Sequence, residues 1–261
     1  RRGFGLALGR VMKPFFSALA FLTPVPVPAS WAGGERELAR SPYYFPIVGL
    51  LIGGLAAAVC FGLDKVLPPL AVSALVVCLL IAASKALHMD GLADSADGLL
   101  SSRSREQMLT IMRDSRTGAM GVVAVVCVVV VKTALFASVA PEGARWKIAL
   151  LMPLAGRCAM VVTMALFRYA RADGGLATVF ELRGAHRWVL LVWAPAVVLV
   201  AGWLLVGVQG LVAAAASIAA GLLVALYCRR RIGGYTGDTL GATCEIVECV
   251  PALAGALWAW N

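Results

Sequence analysis

Apolar residues run along this chain in blocks of about 20, the length at which a helix crosses the hydrocarbon core of a bilayer. Seven blocks qualify: residues 43–63, 70–87, 118–140, 146–170, 188–208, 210–228 and 239–260. The first 40 residues differ. "FGLALGRVMKPFFSALAFL" is short, is interrupted by Pro14 and carries Arg10 and Lys13, the pattern of an interfacial or half-inserted helix. "TPVPVP", residues 23–28, is expected to be extended, because repeated proline forbids helix. The second block ends in "HMDGLADSADG", residues 88–98. Its aspartates, Asp90, Asp94 and Asp97, are spaced by four and three, which brings all three to one face of a helix. The expected fold is all-α: a polytopic integral membrane protein of about seven transmembrane helices plus the N-terminal helix. No linker or composition break divides residues 1–261, so one domain is expected.

Composition agrees with the pattern. The chain has 261 residues, 61% hydrophobic and 14% charged, with a mean hydropathy of +0.88. Soluble domains carry about a quarter charged residues. No signal peptide with a cleavage site is expected, and a start at Arg1 without Met fits a processed or trimmed N-terminus. The net charge of +9 would suit nucleic acid in a soluble protein, but in a membrane protein it records topology, so no nucleic-acid partner is expected. With the N-terminus inside, the cytoplasmic segments hold Arg1, Arg2, Arg10, Lys13, Arg36, Arg40, Arg103, Arg105, Arg113, Arg116, Arg168, Arg171, Arg183, Arg187, Arg229, Arg230 and Arg231. The outer loops hold only Lys65, Arg145 and Lys147. That asymmetry supports the span count and puts the loops 88–117, 171–187 and 229–238 in the cytoplasm, with the C-terminus outside. The seven cysteines (Cys60, Cys78, Cys127, Cys158, Cys228, Cys244, Cys249) form no CxxC pair and mostly lie in apolar runs, so they read as small, reduced, buried side chains.

Two segments carry the candidate chemistry. "HMDGLADSADG" with "IMRDSRTGAMG", residues 111–121, supplies Asp90, Asp94, Asp97 and Asp114, with Arg113 and Arg116 beside them. "GGYTGDTLGATCEIVE", residues 233–248, supplies Asp238, Glu245 and Glu248. A charged carboxylate inside a membrane helix costs about 2.5–3.5 kcal/mol on insertion scales, so a pair there needs a reason. Oxygen ligands without a His/Cys set indicate a hard cation such as Mg²⁺ or Ca²⁺ rather than Zn²⁺, and the EF-hand pattern is absent. Seven carboxylates suggest two ions around a phosphate, clamping the attacking and leaving oxygens of an in-line displacement. Glycines such as Gly237 would let backbone approach a ligand, and Arg113 and Arg116 would neutralise phosphate oxygens.

Each residue also has a plainer reading. The aspartates would form a solvated face, although Gly and Ala beside them are poor surface filler. Arg113 and Arg116 would be topology signals, as would Arg229–Arg231. Glu248, and with it Glu245, would be a structural partner of Arg157. His88 would be a helix-end hydrogen bonder, and Lys132 would snorkel outward or pair structurally.

The same segments resemble the signature motifs of the cobalamin synthase (adenosylcobinamide-GDP ribazoletransferase) family. "FLTPVPVP" and "YYFPIVGLLIGG" are similar to that family too, so the likeness runs from about Phe21 to Glu248. The chain departs from the family pattern at Pro24, where a basic residue is usual, and at Lys85, where a small one is usual. The resemblance implies a Mg²⁺-dependent transferase of the cytoplasmic (inner) membrane in the last steps of vitamin B12 assembly. It would join adenosylcobinamide-GDP to α-ribazole, or its 5′-phosphate, and release GMP. Motif by motif it implies Asp90, Asp94, Asp97, Asp114, Asp238, Glu245 and Glu248 as metal ligands, with one carboxylate as general base. A homo-oligomer is left open. The competing readings are a CDP-alcohol phosphotransferase-like or prenyltransferase-like enzyme, whose Asp spacings do not match. An ion-coupled transporter is the other; it would carry its charges near the midplane of repeated halves.

Overall fold

The computed structural model describes residues 2–139, 145–171, 174, 176–180 and 184–260, with the side chains of 2–11, 176 and 260 left aside. Arg1, Ala140 at the expected end of the third span, and Arg183 lie outside the described residues.

Among them the chain is helical throughout. An N-terminal helix, α1 (Arg2–Leu22), precedes two short ones, α2 (Ala29–Ala32) and α3 (Glu35–Arg40). Then come α4 (Phe45–Leu63), α5 (Pro69–Ala83), α6 (Leu87–Leu99), α7 (Arg105–Ile111) and α8 (Ala119–Ala137). The last four are α9 (Arg145–Leu166), α10 (Ala185–Val206), α11 (Val208–Ile232) and α12 (Gly237–Trp260). Among the described residues six segments are long and apolar enough to cross a membrane, and α5 with α6 passes the same test only as a pair bent at a break, a broken seventh span or a re-entrant loop. The protein is a multi-pass membrane protein. Its surface is inverted relative to a soluble one: Val122, Val126 and Val130 of α8 and Val192 and Leu204 of α10 face outward, whereas Lys132, Arg157, Glu245 and Glu248 are buried. The buried centre is α9, which packs against α4, α10, α11 and α12.

Two expectations change. Pro14 does not break α1, which runs through it to Leu22; its apolar half, Met12–Leu22, is too short to span. The block 70–87 is not one straight helix. It ends at Ala83, and α6 leaves at 89° to α5. The turn is a left-handed helix stop: Ala86 N–H bonds back to the Ile81 carbonyl at 2.9 Å, and Lys85 and Ala86 have φ of 55° and 56°. Glycine usually takes such positions, since a side chain there costs about 1–2 kcal/mol. Three side-chain bonds help hold it. Ser84 Oγ donates to the Leu80 and Ile81 carbonyls, and Lys85 Nζ donates to the Ala20 carbonyl of α1 at 3.1 Å. Lys85, unexplained in the sequence, therefore fastens the bend to α1.

Candidate active site

The bend turns α6 across the start of α12. Gly91 and Gly241 let them meet backbone on backbone: a Cβ at Gly91 would lie 2.7 Å from the Asp238 carbonyl oxygen, and one at Gly241 3.0 Å from His88 Cα. Most of α6 is buried. Apart from Leu87 at its start, its only residues not buried are Asp90, Asp94 and Asp97, the three on the acidic face. Asp90 is exposed and the other two are half-buried.

Asp238 arrives from α12. Thr236 caps that helix: its Oγ accepts from Thr239 N–H at 3.2 Å, and Thr239 Oγ accepts from Thr236 N–H at 2.8 Å. The segment before it is pinned to the segment after α9. Ala170 N–H donates to the Tyr235 carbonyl and Tyr235 N–H to the Arg168 carbonyl, with the Tyr169 and Tyr235 rings packed edge to face. This brings Arg171 onto Asp238, with a guanidinium nitrogen 2.7 Å from Oδ2. Arg105 ties in the third loop, donating to the carbonyls of Ile232 and Ala170. The three loops expected on one side of the membrane thus meet in one place.

The geometry divides the seven candidate carboxylates. Asp90, Asp94 and Asp238 come together. Asp94 lies within electrostatic reach of Asp90, Asp238 and Asp97. Asp97 turns to the start of α8, where its two oxygens accept from Gly118 N–H (2.7 Å) and Gly121 N–H (2.8 Å). It is a helix cap supplied from another helix. Asp114 is held by Arg116, whose guanidinium and backbone N–H both donate to it; these bonds hold its carboxyl at about 2. Arg113 lies within electrostatic reach of Tyr169, which also feels Arg171 and Asp238.

Glu245 is seven residues beyond Asp238, about 10 Å along the α12 axis at 1.5 Å per residue. It and Glu248 share Lys132 of α8, at 2.5 and 2.8 Å, and Glu248 also binds Arg157 of α9. All four are at least 97% buried, and two cations balance two carboxylates. Arg157 is thus the partner of Glu248, and Lys132 pairs inward instead of snorkelling. Arg231, read as a topology signal, donates to the Leu99 and Ser101 carbonyls and holds the end of α6.

A cavity of about 130 Å³ opens where α6 meets α12, lined by His88, Asp90, Gly91, Gly237 and Asp238 and by apolar side chains including Phe21, Met160 and Phe180. Among the described residues, no three His, Cys, Asp or Glu form a ready-made cage for an ion. Carboxylate oxygens such as those of Asp90 and Asp238 are donors that fit Mg²⁺, which commonly takes one or two of them and completes its shell with water and substrate phosphate.

Residues 14–256 match the family model of cobalamin-5-phosphate synthase. Similar proteins include the adenosylcobinamide-GDP ribazoletransferases of Acetivibrio thermocellus (36% identical, covering 91% of this chain and 94% of the relative) and Desulforamulus reducens (39%, 88% and 91%). That of Geotalea daltonii is 37% identical over 91% of this chain and 94% of its own. No solved structure matches. On the extent of these matches, the chain belongs to the cobalamin-5-phosphate synthase family.

Proposed function

We propose that the Asp90, Asp94 and Asp238 cluster is where this membrane transferase handles the pyrophosphate of its nucleotide substrate. The chain is a cobalamin synthase, an adenosylcobinamide-GDP ribazoletransferase of the final steps of B12 assembly. In that reaction a ribose hydroxyl of α-ribazole, or of its 5′-phosphate, attacks the phosphorus bonded to cobinamide. The P–O bond to GMP breaks, GMP leaves with the bridging oxygen, and the hydroxyl proton is taken up by a base.

The observation that carries this reading is the charge left over where α6 crosses α12. Three carboxylates face one bonded guanidinium, that of Arg171, so the cluster has a formal deficit of two positive charges. A pyrophosphate could not approach it unless a cation intervened. One Mg²⁺ matches the deficit; two of the three carboxylates Asp90, Asp94 and Asp238 would hold it, with water and substrate phosphate completing its shell. When bound it would supply charge neutralisation for the phosphate oxygens. Arg171 positions Asp238, and Arg113 and Arg171 supply positive charge to the nucleotide. Whichever carboxylate is left free of the cation is suited to accept the hydroxyl proton. The arginine bias supports a cytoplasmic position for this cluster.

The test is GMP release from adenosylcobinamide-GDP and α-ribazole by membranes carrying the protein, with Mg²⁺ varied. Asp94→Asn and Asp238→Asn should lower turnover by about 10²-fold or more at unchanged membrane content, as loss of a transition-state electrostatic partner does. Turnover near the parent rate in both would remove the cluster from the chemistry.

A further inference from the structure

His88 is 1% exposed, lines the cavity beside Asp90 and Asp238, and has no hydrogen-bond partner for either ring nitrogen among the described residues. A buried imidazole normally has at least one of its nitrogens satisfied. The charged set of Lys132, Arg157 and Glu248 lies within electrostatic reach of the ring, but none of the three bonds to it. The partner of His88 is therefore expected to come with a ligand.

The rest of the cavity says what kind. Its other walls are largely carbon: Phe21, Met160, Ala177, Phe180 and Leu240. Its volume, about 130 Å³, is close to the roughly 150 Å³ of an engineered apolar cavity that takes up benzene. A corrinoid is far too large, and drug-sized ligands need about 300–1,000 Å³. One aromatic ring system with little polarity is what fits. Guanine is a poor match, because its edge carries several donors and acceptors that carbon walls would leave unpaired. The base of ribazole, a dimethylbenzimidazole, is a good one. It is flat and apolar, and in the riboside it keeps a single unsubstituted ring nitrogen, which is a hydrogen-bond acceptor.

We propose that the benzimidazole ring of α-ribazole enters this cavity and accepts a hydrogen bond from His88. This rests on the function proposed above and adds the place of the acceptor substrate. Asp90 is exposed and marks the open side, so a ring seated inward leaves its ribose beside the carboxylates, where the attacking hydroxyl is needed.

Two measurements test it, both by GMP release. The first uses the unaltered protein: free 5,6-dimethylbenzimidazole should inhibit competitively against α-ribazole and not against adenosylcobinamide-GDP. Competition against adenosylcobinamide-GDP instead, or no inhibition at millimolar concentration, would overturn the proposal. The second uses His88→Phe, which keeps a ring without a donor, and Ala177→Leu, which fills the cavity. Each should raise KM for α-ribazole about tenfold, the equivalent of one lost hydrogen bond or a partial steric block, and leave KM for adenosylcobinamide-GDP within about twofold. His88→Gln, which restores a donor, should recover part of the loss. An equal rise in both KM values, or a rise only for adenosylcobinamide-GDP, would place the ring elsewhere. If the unaltered protein releases no GMP at all, the function itself fails, an outcome distinct from failure of the ring's location.

Discussion

Replacing Lys132 with methionine removes one charge from a buried set that is otherwise balanced. At an effective dielectric constant of about 20, two unit charges 2.8 Å apart attract by about 6 kcal/mol. Each ion also cost several kcal/mol to withdraw from water, so the intact set contributes little net stability. Removal is not symmetrical. Glu248 keeps Arg157, but Glu245 loses its only ion-pair partner among the described residues. Breaking one side of a buried pair costs about 3–5 kcal/mol, roughly two to nearly four orders of magnitude in the folding equilibrium. The double variant Lys132→Met with Glu245→Gln restores one cation to one carboxylate and should recover at least half of that loss. The assay is SDS-titrated unfolding in mixed micelles, with membrane content measured alongside. A Lys132→Met protein within about 1 kcal/mol of the parent, or a double variant no more stable than the single, would refute the charge-balance argument.

The remaining predictions follow from the other bonded groups. Asp97→Ala should cost about 1–2 kcal/mol, because two N–H groups at the start of α8 lose their acceptor, while turnover per folded molecule stays near the parent value; thermal unfolding in detergent paired with GMP release checks both. Arg231→Ala should lower thermal stability by loosening the end of α6, whereas Arg230→Ala, at an exposed neighbour, should leave both stability and activity nearly unchanged.

The acidic face of α6 was legible because it depends only on helical spacing, and the Gly and Ala between the aspartates marked the rest of that helix as buried. The spans were legible from hydropathy, and the shared side of three loops from the distribution of arginine. The bend was not. A left-handed stop is normally announced by glycine, and here Lys85 and Ala86 occupy it, so the apolar block reads straight through. The partners of the acids were hidden for a different reason. Lys132 and Glu245 are 113 positions apart, and Asp97 is 21 from Gly118, so no local spacing links them. Loop arginines were the least legible. Arg105, Arg171 and Arg231 obey the same positive-inside bias as Arg230, and only their contacts with carbonyls or with Asp238 distinguish them.

What separates the two acidic groups in the end is compensation, not the cost of placing a carboxylate near lipid. Glu245 and Glu248 are the more deeply buried in the protein, where an unbalanced charge is most expensive, and the protein supplies them with two cations of its own. Asp90, Asp94 and Asp238 sit where α6 and α12 cross and receive one bonded guanidinium for three carboxylates. A fold selected only for stability would neutralise the less buried cluster more easily than the buried one, since an exposed arginine is cheap and several lie in the adjoining loops. Asp97, three residues beyond Asp94 on the same face, shows that the chain can neutralise an acid there with nothing more than a helix start. Leaving its three neighbours undercompensated is therefore a property of the site, and it reserves the missing charge for groups that arrive with the substrate.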